Sequence, residues 1–163
     1  MDGKKENSQG NQTSEMIACL KTGMPGILIV KPVMLAYLYG STADGSRLPF
    51  SDVDIALVLE PDCPLSSYER MKLELDIAAE TERLCSLQEA DVRSIDAAPL
   101  TVQGTVVTEG ILLYSRDEAF RIEYEVRTRK LYFDFLPVVE MMREAFFNHV
   151  QQEGLAGGKA RQS

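Results

Sequence analysis

Asp52 and Asp54 stand one residue apart at the mouth of the apolar run Val53–Leu59. Side chains on a strand alternate between faces, so the two carboxylates point the same way. Side by side they repel, and each raises the pKa of the other. A divalent cation relieves that repulsion. Hard oxygen ligands suit Mg²⁺, which also takes phosphate oxygens from a substrate. Upstream, Gly40-Ser41 closes a second apolar run, Val33–Tyr39, and is followed by the small residues Thr42, Ala43 and Gly45. Glycine lets the backbone approach a ligand closely. A short helix starting at Ser41 would offer its N–H groups to a phosphate. Ten residues separate Ser41 from Asp52, enough for the chain to return beside the first strand. Phosphate cradle and carboxylate pair would then face one cleft.

The elements that must hold these residues can be read from periodicity. Ser14 is placed to cap a short helix over Glu15–Leu20, which Gly23, Pro25 and Gly26 would break. Val33–Tyr39 and Val53–Leu59 read as buried strands. From Leu65 to about Leu87 the pattern is helical, with Tyr68, Met71, Leu75, Ala78 and Cys85 as the apolar face. Asp91–Ile95 alternates and suggests a third strand. Pro99 opens a helix that Gly110 closes, and Ile111–Tyr114 is a short strand. Asp117 would cap a long last helix whose inner face carries Phe120, Tyr124, Leu131, Phe135 and Met142. Pro137 should kink or divide it. The order is that of an α/β domain with a small central sheet covered by helices.

Composition bounds the rest. The chain has 163 residues, 45% hydrophobic and 26% charged, which suits one globular domain with a substantial core. Polar residues 1–13 and the glycine-containing segment 151–163 read as disordered tails around a folded body of residues 14–150. The net charge of −8 argues against direct, sequence-independent nucleic-acid binding, which needs a basic face. No apolar run is long enough for a membrane span, and the N-terminus lacks the apolar core of a signal peptide. Cys19, Cys63 and Cys85 are odd in number and far apart. They read as isolated thiols in a reducing cytosol, not as a disulfide or zinc framework. The aromatics between Phe120 and Phe147 outnumber what one helix face needs, so part of them could form a patch for a partner or for self-association.

The stretch Gly40-Ser41, Ala43, Gly45, then Ser51-Asp52-Val53-Asp54 closely resembles the signature of the polymerase-beta-like nucleotidyltransferases. Within them the chain is similar to the minimal nucleotidyltransferases, the MNT antitoxins that pair with HEPN toxins. That similarity extends through Asp91–Leu100, Glu109–Tyr114 and Tyr132–Phe135. The resemblance implies a small mixed sheet flanked by helices. It also implies ATP as substrate, two Mg²⁺ ions held by three carboxylates, and AMP transfer to a hydroxyl, a tyrosine of a cognate HEPN ribonuclease toxin, in the cytoplasm. Asp52 and Asp54 match the first two carboxylates. Asp91 matches the third, with Asp96 as its competitor. These two differ by an odd number of positions, so on a regular strand only one faces the metals. Gly40 and Ser41 would hold the β- and γ-phosphates. Where family members often carry Arg before the second glycine this chain has Asp44, and Arg47 is the nearby cation that could compensate. Two other functions stay open: an antitoxin that works by binding alone, and nucleotidyl transfer to a small molecule. A homo-oligomer is also open.

Overall fold

The computed structural model describes residues 3–43 and 52–153. Helix α1 (Gly3–Leu28) precedes strand β1 (Val33–Tyr39) and a single 3-10 turn, Gly40–Thr42. Strand β2 (Val53–Leu59), helix α2 (Ser67–Cys85), strand β3 (Ala90–Ser94), helix α3 (Leu100–Glu109), strand β4 (Ile111–Ser115) and helix α4 (Glu118–Glu153) follow. The four strands form one sheet in the order β3-β2-β1-β4. β1 runs antiparallel to β2 and β4, whereas β2 and β3 are parallel. This is the expected mixed sheet flanked by helices.

Strand alternation gives the sheet two apolar faces. Ala36, Leu38, Val53, Ile55, Leu57 and Val92 pack against Leu20, Met24 and Leu28 of α1 and Ile77 and Ala78 of α2. Leu35, Tyr37, Ala56 and Val58 pack against Val106 and Val107 of α3 and Tyr124 of α4. Each fully buried aliphatic contributes about 1.5–3 kcal/mol. Gly104 lets α3 and α4 close up, because a Cβ there would meet the Tyr132 ring at 2.1 Å. Asp117 caps α4 by accepting the Phe120 N–H at 2.7 Å. Among the described residues, no helix is long and apolar enough to cross a membrane.

The helices depart from the pattern reading in several places. α1 begins at Gly3, so most of the stretch read as a tail is helical. Lys, Glu and Gln are good helix formers. Ser14 is therefore interior, its hydroxyl bonded back to Gly10 O at 3.0 Å. The helix also runs through Gly23, Pro25 and Gly26, because Leu20, Met24, Ile27 and Leu28 form a buried stripe on the sheet. On α2 the buried face is Glu74, Ile77, Ala78 and Thr81, while Tyr68 is 69% and Leu75 61% exposed. The polar members explain the misreading. Glu74 accepts the Ser94 N–H at 2.8 Å and its hydroxyl at 2.6 Å, tying α2 to β3. On α4 the first turns bury Tyr124, Glu125 and Thr128, but Leu131, Phe135 and Met142 are exposed. Pro137 lies within the helix without dividing it.

Cys19 and Cys85 form a disulfide joining α1 to the end of α2, which overturns the reading of isolated thiols. Their 66-residue separation hides the fact that α1 and α2 lie side by side on one sheet face. Cys63 stays free. The helix α4 reaches Glu153, so the start of the expected C-terminal tail is helical as well.

Candidate active site

The face of the sheet that carries Ala56 and Tyr37 continues beyond the helix cover into a polar row. β1 and β2 pair Tyr39 with Asp54, and β2 and β3 pair Asp54 with Asp91. Residues directly opposite in a sheet point to the same side, with Cβ atoms about 5 Å apart. Tyr39, Asp54 and Asp91 therefore stand abreast across three strands. Asp52 precedes β2 and is exposed. Asp96 is not in this row. It accepts the Leu59 N–H at 3.2 Å and lies 3.8 Å from Arg70, at the opposite end of β2. A cavity of about 330 Å³ lined by Asp96, Phe120, Tyr124 and Arg127 lies at that end as well, away from the carboxylate row.

Asp54 is held against the turn that follows β1. Gly40 has φ +72°, and a Cβ on it would stand 2.7 Å from Asp54 Oδ2. A glycine is required on both counts. The Gly40–Thr42 turn closes with the Ala43 N–H donating to Gly40 O at 3.0 Å. One 3-10 turn is too short for an appreciable helix dipole. A phosphate here would be held by local N–H groups and the half-buried Ser41, not by the helix expected at Ser41. Asp44, Arg47 and Ser51 lie outside the described residues.

The row is electrostatically loaded. Burial, then the charges of Asp91 and Asp52, raise the Asp54 carboxyl above its ordinary value. The Tyr39 phenol is raised by burial and by Asp54 and Asp91. Asp91 has one cationic partner: Arg93 Nε donates to its Oδ1 at 2.8 Å. Among the described residues no three His, Cys, Asp or Glu side chains converge as a finished metal site. The donor chemistry nonetheless fits Mg²⁺. Carboxylate oxygens are its ligands, and a cation between them would relieve the repulsion that Asp54 records.

A family model described as polymerase beta, nucleotidyltransferase, matches residues 28–119, more than half of the chain. The chain belongs to this nucleotidyltransferase family. The match runs from the end of α1 through β4 into α4, so it includes the whole carboxylate row. A chain of a toxin–antitoxin crystal structure with AMP-PNP is 22% identical, with a TM-score of 0.54 over 85% of this chain and 98% of that one. A mutant MntA–HpeT toxin–antitoxin structure gives 20% identity and a TM-score of 0.58, covering 80% and 98%. A structure from Shewanella oneidensis gives 20% and 0.51, covering 83% and 96%. These likenesses are of fold. No curated protein matches the sequence.

Two residues beside the carboxylates escape sequence reasoning. Tyr39 reads as buried strand, yet it ends β1 beside Asp54. Its parity with Tyr37 was the available signal, since both occupy the same face. Arg93 lies two residues after Asp91 on the same face, but only the structure shows it bonded there.

Proposed function

We propose that this nucleotidyltransferase is a Mg²⁺-dependent enzyme of the MNT antitoxin type. It transfers AMP from ATP to a hydroxyl, a tyrosine of a cognate HEPN ribonuclease toxin, and so silences that toxin. The observation that carries this reading is the alignment of Asp54 with Asp91 across adjacent strands, with Gly40 pressed against Asp54. AMP-PNP in one structure of similar fold supports a nucleoside triphosphate as ligand. The toxin–antitoxin complexes support a protein partner.

In this reading Asp52, Asp54 and Asp91 would hold two Mg²⁺ ions. When bound, these supply charge neutralisation at the attacking and leaving oxygens. Gly40 and Ser41 would hold the β- and γ-phosphates, leaving the α-phosphate over Asp54 and Asp91. Arg47 would add a cation to the same phosphates. Asp91 stands on the side away from the phosphate turn, where the acceptor hydroxyl enters, and would accept its proton. The hydroxyl oxygen bonds to the α-phosphorus and pyrophosphate leaves. Most of the rate comes from positioning and charge. The folded unit is residues 14–150 together with the helical extensions of α1 and α4. The work belongs in the cytoplasm, where ATP and the partner meet. The exposed apolar far half of α4 supports docking of that partner or self-association.

The test is transfer itself. Labelled ATP, Mg²⁺ and the product of any neighbouring HEPN-type gene should give a partner heavier by one or more AMP units. Asp52→Ala with Asp54→Ala should abolish that increment and leave the complex intact. Full neutralisation by the double variant would instead establish the second reading, an antitoxin that acts by binding alone. Asp44, at the sequence position where family members often carry arginine, is the feature that favours it.

A further inference from the structure

Among the described residues, fold packing makes no use of the Tyr39 hydroxyl. Its ring packs at the edge of the cluster built on Leu35, Tyr37, Ala56 and Tyr124, and a phenylalanine would pack as well. The neighbouring strand tyrosines use their hydroxyls. Tyr37 donates to Glu125 at 2.9 Å, and Tyr114 accepts from Arg116 at 3.3 Å. The Tyr39 hydroxyl bonds to none of the described residues. A phenol reaches farther from the sheet than a carboxylate, so it stands at or above the level of the Asp54 and Asp91 oxygens. The row fixes which part of a nucleotide it would meet. β1 lies on the side of Gly40 and Ser41, whereas Asp91 lies on the far side of Asp54. A triphosphate held at Gly40–Ser41 with its α-phosphate over Asp54 and Asp91 therefore crosses the end of β1.

We infer that Tyr39 is a nucleotide-contacting residue whose hydroxyl donates a hydrogen bond to a triphosphate oxygen. This inference rests on the proposed nucleotidyltransferase reading. A neutral donor suits the position. It binds an anion without pairing permanently with the carboxylates, as an arginine or lysine there would. Its contribution to the chemical step is through placement of the phosphates.

Tyr39→Phe removes one oxygen and keeps the ring. Binding of AMP-PNP with Mg²⁺, followed by calorimetry, should weaken about tenfold, the loss expected for one hydrogen bond to a charged group. Binding of AMP, which lacks the β- and γ-phosphates, should weaken by less than about twofold, and the melting temperature should hold. The full-length wild-type protein gives an independent readout. With ¹³Cζ-labelled tyrosine, the Tyr39 resonance, assigned by its loss in Tyr39→Phe, should shift with AMP-PNP and Mg²⁺ but not with Mg²⁺ alone. If wild type binds AMP-PNP and Tyr39→Phe binds it equally, the inference is overturned and the nucleotidyltransferase reading stands. If wild type binds no nucleotide, both fall. An AMP increment on this chain itself, absent in Tyr39→Phe, would make Tyr39 an acceptor and overturn its role as donor.

Discussion

Asp54 is where function and stability oppose each other. Burial and two neighbouring carboxylates raise its carboxyl above the ordinary value. The native state therefore holds that proton more tightly than the unfolded chain does. The sign follows directly: metal-free stability falls as pH rises from the ordinary carboxylate range through the raised value. Asp54→Asn removes the penalty. Its melting temperature without metal should exceed that of wild type at neutral pH, and the two should converge in acid. Mg²⁺ should raise the wild-type melting temperature at neutral pH, less so in acid, and leave Asp54→Asn nearly unchanged. Thermal melts with and without Mg²⁺ across pH 4–8 check all of this. A destabilised Asp54→Asn at neutral pH would mean that the carboxylate row does not repel as described. Legibility at this scale was partial. The Asp52/Asp54 spacing is visible in sequence because period-2 alternation is local. That Asp91 stands opposite Asp54 depends on parallel pairing with β3, which no local pattern encodes.

The elements divide by what specified them. β1 and β2 fall where apolar runs between breakers place them, because a strand buried on both faces needs no periodic pattern. The helices were harder to read, since their sheet-facing stripes include polar groups with partners. Glu125 is the clearest case. It is buried on α4, accepts from Tyr37, and faces Arg121 at 3.2 Å and Arg129 at 3.4 Å. Arg129 also donates to Val107 O at 3.0 Å, so it takes part in the α3–α4 contact. Glu125→Ala strands the buried Tyr37 hydroxyl and takes one acceptor from each of Arg121 and Arg129, and should cost about 2 kcal/mol in chemical denaturation. Leu20→Ala, on the stripe that carries α1 through Pro25 and its flanking glycines, should cost about 2–5 kcal/mol. An effect below about 1 kcal/mol would place α1 off the sheet. The Cys19–Cys85 link fastens the same helix pair. Its loop of this length would add at most about 4 kcal/mol under oxidising conditions, seen as a lower denaturation midpoint in Cys19→Ser.

For the whole molecule, the distribution of apolar surface matters more than its amount. The sheet is covered on both faces, yet Met142 is 63% and Phe146 62% exposed on the far half of α4. Leu131, Phe135, Val138 and Met142 recur there at spacings of four, three and four residues, one stripe of a helix. Met142→Lys with Phe146→Lys should leave the melting temperature within about 2 °C, because neither side chain is in the core. The same change should weaken the complex with the partner, or self-association, by tenfold or more in sedimentation or calorimetry. A sharp loss of stability would show that this chain's own core needs them.

α4 is thus anchored at one end and open at the other. One anchor is the Glu125–Tyr37 bond, and Tyr37 and Tyr39 are neighbours on the same face of β1. Whatever grips the open end pulls on a stiff rod bolted to the strand that ends in the Gly40–Thr42 turn. Under the proposed function, partner docking and nucleotide placement would be mechanically linked through β1, so a loose bolt, as in Glu125→Ala, would separate holding the partner from modifying it.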